Sequence, residues 1–161
     1  MILIRTNWKS FDEYIASLSK KTRYDYRLAM ARYPITFELI PFDRLLVWHF
    51  MELWEQQPVR KKPIRWKFGV DHFEELANKG ELLVFKTGEI GLQCVQKCDS
   101  YWLAHAPMYM KEGNSLLAKY MWFCLFRYFI EHKLGSIDMG GNKEDSVSRY
   151  KLEYLPIERK K

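Results

Sequence analysis

Asp138 closes a short strand-like run, Ser136-Ile137-Asp138-Met139, directly ahead of Gly140-Gly141. Glycines at that point let a second backbone or a ligand come close, and the carboxyl ends of strands are where open α/β sheets hold ligands. A carboxylate within hydrogen-bond reach of an ammonium group, directly or through a water, can take its proton. The same residue can equally cap the glycine turn. A second place with chemistry is the run Lys111-Glu112-Gly113-Asn114-Ser115, which enters a long apolar helix. A helix N-terminus presents unpaired N–H groups and a partial positive charge, so Lys111, Gly113, Asn114 and Ser115 can hold a phosphate or a carboxylate, or Asn114 and Ser115 can simply cap the helix. A third is basic and aromatic: Arg60, Arg65 and Trp66 in the loop Arg60 to Lys67, and the ridge Lys20, Arg23 and Arg27. Cations and a stacking ring are enough to track a polyanion, although such a loop can also be merely solvated.

Other chemistries find little support. Cys94 and Cys98 lie i, i+4 on one side of a strand with no His or Cys at metal-ligand spacing, so they read as small core residues and no metal is expected. His49, His72, His105 and His132 are scattered, without an HExxH pattern or a triad-like arrangement. Trp122, Phe123, Phe126 and Phe129 read as core.

The elements that must position these residues follow from local signals. Ser10 with Glu13 forms a capping box for a short helix ending near Leu18, and Ser19 caps a longer one. In that second helix Tyr24, Leu28 and Ala31 share one face and the basic ridge another. Pro34 ends it, and Ile35 to Ile40 alternates as a strand does. Asp43 caps a helix from Arg44 to about Gln56, with Leu46, Val47, Phe50, Met51 and Trp54 inward. The segment Pro58 to Lys67 has two prolines and five basic residues and reads as a loop, and a helix from Val70 to Asn78 is closed by Gly80. Three strand-like runs follow, Glu81 to Lys86, Glu89 to Lys97 and Tyr101 to Tyr109, parted by the turns Thr87-Gly88 and Asp99-Ser100, which makes an antiparallel meander. A helix from Ser115 to Lys133 ends at Gly135, the Asp138 strand follows, a last helix covers Asp145 to Lys151, and a final strand runs from Leu152 to Ile157.

With 161 residues, 48% of them hydrophobic and 16% aromatic, the chain is expected to be one domain, residues 1–161, with a large packed core. Antiparallel strands followed by a helix and a returning strand give an α/β fold with a mixed, mostly antiparallel sheet of about six strands flanked by helices. The apolar window Leu116 to Ile130 is shorter than the roughly 20 residues that span a bilayer, so no transmembrane segment is expected. Met1-Ile2-Leu3-Ile4 is cut short by Arg5 before it can act as a signal peptide, and three cysteines without secreted-type spacing point to a cytoplasmic protein. The net charge of +6 favours anionic partners, among them nucleic acid, anionic lipid or a phosphorylated donor.

The order of elements and three local patterns resemble the GNAT acyltransferase superfamily, on its FemAB-like and "acetyltransferase type 6" branch. The patterns are the helix Phe73 to Asn78 feeding a strand through Gly80, the Gly88-Glu89 hairpin, and the helix ending Glu131-His132-Lys133-Leu134-Gly135 ahead of Ser136-Ile137-Asp138-Met139-Gly140. The basic segment Lys20 to Arg27 is similar to the helix that precedes the first strand in that branch, and Tyr150-Lys151 stands where the family has an aromatic residue followed by a functional lysine. The resemblance implies transfer of an acyl or aminoacyl group from an activated donor, acyl-CoA or aminoacyl-tRNA, to an amine acceptor that is a small molecule or part of a polymer. It implies that Asp138 helps remove the proton while Lys151 or Tyr150 steadies the developing oxyanion, binds a donor phosphate or carboxylate, or, for Tyr150, protonates the leaving group. FemAB enzymes carry two such domains, and the single glycine and lysine at Lys111 to Ser115 make a thin phosphate loop. A nucleic-acid-linked amine as acceptor, and a non-catalytic binding protein on the same scaffold, therefore stand beside the main reading.

Overall fold

A computed structural model describes residues 1–55, 69–110, 115–141 and 146–157. In chain order they form β1 (Leu3–Ile4), α1 (Phe11–Ala16), α2 (Lys20–Arg32), β2 (Phe37–Ile40), α3 (Arg44–Glu55), α4 (Gly69–Asn78), β3 (Leu82–Thr87), β4 (Gly91–Lys97), β5 (Trp102–Ala104), β6 (Met108–Tyr109), α5 (Ser115–His132), β7 (Ile137–Asp138) and a 3-10 segment (Ser146–Tyr154).

The helix starts sit where side chains can satisfy the orphan N–H groups. Ser10 Oγ accepts from Glu13 N–H at 3.2 Å, Ser19 Oγ from Thr22 N–H at 3.2 Å, and Asp43 Oδ1 from Leu46 N–H at 3.2 Å. α4 ends as expected at Gly80, whose φ of +72 lets Glu81 N–H reach back to Leu76 O at 2.9 Å.

The strands make one mixed sheet in the order β1-β7-β5-β4-β3-β2, with β6 pairing β4 beside β5. All pairs are antiparallel except β5 with β7. One face is covered by α1, α2 and α5, where Phe85, Val95 and Ile137 pack with Phe123, Phe126 and Phe129. The other is covered by α3 and α4, where Val84, Leu92 and Cys94 pack with Val47, Phe50 and Phe73. At Gly91 the sheet comes so close to α5 that a Cβ would lie 2.8 Å from Met121 Sδ, so any side chain here would force Met121 to shift.

Three expectations are corrected. The run Leu152 to Ile157 is not a strand; residues 146–154 form the 3-10 segment, and Tyr154 is drawn into the core against Phe123 and Phe126. The edge place beside β7 is taken instead by β1, with Leu3 opposite Asp138 and Ile4 opposite Ile137. α2 also turns a different face inward: Thr22 and Ala29 are buried, with Tyr26 and Met30 packed on the core, while Tyr24 and Leu28 are 58% and 44% exposed. The partner decides, because α2 packs along α5 and Asp25 reaches Lys119 at 2.8 Å. The third run of the meander is broken into β5 and β6, with consequences for the site.

Candidate active site

β5 and β7 run side by side only briefly. Trp102 N–H donates to Ser136 O at 2.8 Å, and the register pairs Trp102 with Ile137 and Leu103 with Asp138. β7 then stops. Met139 N–H donates to Ile2 O at 2.9 Å, away from β5, and Gly140 and Gly141 take φ of +76 and +78, a left-handed pair that turns the chain out of the sheet.

On the facing strand the register slips. Ala104 pairs with Val95 and His105 N–H donates to Cys94 O at 3.0 Å, yet Met108 pairs with Leu92. Gln93 therefore faces two residues, Ala106 and Pro107, which is a β-bulge. Peptide groups alternate sides along a strand: Trp102 N–H points to β7 and His105 N–H to β4. That alternation carries the Ala106 N–H toward the side β7 has left, where it meets no hydrogen-bond acceptor among the described residues. Pro107 has no N–H to pair. The bulge is tied down from below: Gln93, fully buried, donates through Nε2 to His105 O at 2.9 Å. Its Oε1 has no hydrogen-bond partner among the described residues.

At the rim of this opening lie two of the residues singled out from sequence. Asp138 is 8% exposed and its Oδ1 accepts from Gly140 N–H at 2.9 Å, so it does cap the glycine turn. Lys151 Nζ donates to Met139 O at 2.8 Å and to Gly140 O at 3.4 Å, which fixes the same turn from the other end. Tyr150 is 50% exposed, with the Lys151 ammonium 5.9 Å from its ring centroid.

Of the remaining expected site residues, Ser115, Arg23 and Arg27 have no described contact with this cluster. Ser115 opens α5 at an exposed position. Lys111, Gly113 and Asn114, and Arg60, Arg65 and Trp66, lie outside the described residues. Arg23 donates to Ala16 O at 3.5 Å and Arg27 is exposed, both on α2 in the layer that holds α5.

A residue that sequence reasoning passed over adjoins the bulge in the chain and packs toward β4 and α4. His105 lies on the same sheet face as Leu103, Gln96 and Asp138, since Gln96 pairs with Leu103 and Leu103 with Asp138. Its Nε2 is 3.3 Å from Gln96 Oε1, and its ring meets that of Phe73 edge-on with centroids 4.9 Å apart. Burial, with His72 adding to the effect, holds its pKa down at about 4. The available signal was Pro107, because a proline inside a strand pattern marks a bulge and bulges gather at sites.

Among the described residues there is no group of three or more His, Cys, Asp or Glu side chains that would hold a metal ion, and no helix is long and apolar enough to cross a membrane. No family model matches the chain, and no curated protein matches it in sequence. In structure it is similar to L-PGS from Bacillus licheniformis, with a TM-score of 0.61 and 14% identity over 96% of this chain and 58% of that one. It is similar also to FemX, with a TM-score of 0.63 and 13% identity over 94% of this chain and 56% of the other. The chain thus spans somewhat more than half the length of either. At such identities the likeness is one of fold, and the fold, a mixed sheet flanked by helices and parted beyond the β5–β7 pair, is GNAT-like.

Proposed function

We propose that this chain transfers an acyl or aminoacyl group from an activated ester or thioester to an amine. The observation that carries the reading is the bulge at Ala106-Pro107, which leaves one backbone N–H aimed into the gap between parting strands. A carbonyl seated there would receive a preorganised hydrogen bond as its oxygen gains charge in the tetrahedral intermediate. The amine nitrogen forms the new C–N bond, the C–O or C–S bond to the carrier breaks, and alignment of the two reactants supplies much of the acceleration.

Asp138 and Lys151 in this reading shape the mouth through the Met139-Gly140 turn, and their charges act on the donor or acceptor from there. The start of α5 follows the bulged strand directly in sequence, so Ser115 and the residues before it are the proposed place for the donor's phosphate. The sequence resemblance to FemAB-like enzymes and the structural likeness to FemX favour an aminoacyl ester on tRNA over acyl-CoA as donor. The excess of basic residues, Arg23 and Arg27 among them, supports the same choice.

The test is transfer of label. Purified protein is incubated with aminoacyl-tRNA carrying labelled amino acids, or with labelled acetyl-CoA, and a panel of primary amines; alkali-stable amide is then counted. The expected result is amide formation with the tRNA donor that weakens steeply as salt is added. Amide from acetyl-CoA alone would replace the donor assignment, and no amide from either donor would overturn the proposed activity.

A further inference from the structure

We propose that the groove around Trp8 and Lys9 binds the sugar-phosphate backbone of a single-stranded stretch of nucleic acid, with a phosphate held by Lys9 and Lys133. The groove lies at the other end of β7 from the opening, and the inference stands whether or not the chain transfers an acyl group.

Its walls come from two links in the chain. α5 gives way to β7 through Lys133 at φ +53 and Gly135 at φ +115, a bent stretch that leads from the helix layer into the sheet. Thr6, just past β1, donates its hydroxyl to Gly135 O at 2.5 Å and so ties the stretch between β1 and α1 to that bend. Along the tie lies a cavity of about 550 Å³ whose lining includes Asn7, Trp8, Lys9, Lys133 and Ser136. A second cavity, of about 560 Å³, shares Asn7, Trp8 and Lys9 with the first and reaches Arg5 beside β1, the edge strand of the sheet.

The charge is unbalanced where the phosphate is placed. Lys9 and Lys133 both line the first cavity, and no Asp or Glu does. Among the described residues Arg5, Lys9 and Lys133 make no ion pair, whereas Arg44, Lys86 and Lys119 hold carboxylates at 2.6, 2.9 and 2.8 Å. The backbone N–H groups of Asn7, Trp8, Lys9, Gly135 and Ser136 likewise meet no acceptor among the described residues. Ammonium groups without counter-charges, beside backbone donors without acceptors, are what an anion site is made of. The carbonyl end of α5 would repel an anion, but Phe129 O and Ile130 O are occupied by the Leu134 and Lys133 N–H groups at 3.1 and 3.3 Å.

Exposure and the indole ring decide the kind of ligand. Arg5, Lys9 and Lys133 are all exposed, so a lone phosphate would compete with water for each of them. A strand instead offers phosphates in succession, and every cation it meets releases condensed counterions. Trp8 is half-buried, packed against Tyr14 with ring centroids 6.0 Å apart, and lines both cavities. An unpaired base can stack on such a ring, and a paired one cannot. Acidic neighbours set the path. Beyond Lys9 and Lys133, Asp12 and Glu131 line a third cavity, so the strand runs from Lys133 past Lys9 toward Arg5. Glu13 shares the cavity with Arg5, which leaves Lys9 and Lys133 as the two main contacts.

Binding of a labelled single-stranded oligonucleotide is followed by fluorescence anisotropy over a range of salt, with no donor or amine present, so the outcome is separate from that of the transfer assay. The unmodified protein is compared with the double variant Lys9→Gln, Lys133→Gln and with Lys79→Gln, Lys97→Gln, which removes the same charge at exposed positions that do not line the groove. The groove variant should bind about tenfold or more weaker, and its slope of log affinity against log salt should fall by about 1.4, two contacts at about 0.7 each. The other variant should move that slope by less than about 0.5. Equal losses from both variants overturn the groove as the site, as does an unmodified protein that does not bind the strand. A mononucleotide that binds as tightly as the oligonucleotide, or vesicles of anionic lipid that bind in its place, overturns the strand as the occupant.

Discussion

Acid should weaken this fold in a way that can be traced to a single imidazole. His105 is held at a pKa of about 4 by burial, against an ordinary value near 6.5, so the folded state binds fewer protons than the unfolded one between those limits. A depressed folded pKa means the contribution is complete above pH 6.5 and is lost as pH falls through 4. At about 1.4 kcal/mol per pKa unit, the loss from this residue is roughly 2 kcal/mol by pH 5 and roughly 3 kcal/mol by pH 4. Carboxylates also titrate in this range, so the wild-type curve alone does not isolate the effect. The assay is urea unfolding at pH 7, 5 and 4 for the wild type and for His105→Gln, which removes the titration while keeping a polar side chain. The variant should be the less stable protein at pH 7, and its disadvantage should shrink by about 2 kcal/mol at pH 5 and about 3 kcal/mol at pH 4. A stability difference between the two proteins that stays flat across this range would refute the argument that burial keeps the ring uncharged.

Two further substitutions probe how the last segment of the chain is held. Tyr14, fully buried on α1, donates its hydroxyl to Tyr154 O at 2.6 Å, so Tyr14→Phe should cost about 1–2 kcal/mol in chemical denaturation by stranding that carbonyl. Lys119 reaches Asp25 at 2.8 Å and Glu153 at 3.6 Å, joining α2, α5 and the 3-10 segment, with each side chain less than a quarter exposed. Lys119→Met leaves two carboxylates facing one another and should cost about 3 kcal/mol; adding Asp25→Asn should recover part of it in a double-mutant cycle.

What could be read from sequence was what is decided locally. The Ser10, Ser19 and Asp43 caps, the Gly80 stop and the Thr87-Gly88 turn each depend on a few neighbouring residues, and each lies where the residues placed it. The face of α2 was not legible, because Tyr24-Leu28-Ala31 and Thr22-Tyr26-Ala29 both satisfy a helical period and only contact with α5 chooses between them. Leu152-Glu153-Tyr154-Leu155 alternates like a strand, but the sheet edge it would have joined is filled by residues from the other end of the chain. The site divides the same way. Asp138 and its glycines announce a turn, and the resemblance drew attention to Lys151, which the fold brings to that same turn. The bulge left only Pro107 as its mark in the sequence; the mismatch of one residue between two strands exists only in their pairing.

The marriage of β1 with β7 also sets a timetable. Leu3 and Ile4 are synthesised long before Ile137 and Asp138 exist, so the earlier pair must wait, its apolar side chains without their final neighbours, until the residues between have been made. Closing so wide a loop is entropically expensive, and few contacts reward it before the core is assembled. The sheet should therefore mature from β3, β4 and β5, whose hairpins are local, and seal last along the seam that borders the opening. A segment added late and lightly is also the one that can loosen first, which would make the rim of the site softer than the walls behind it.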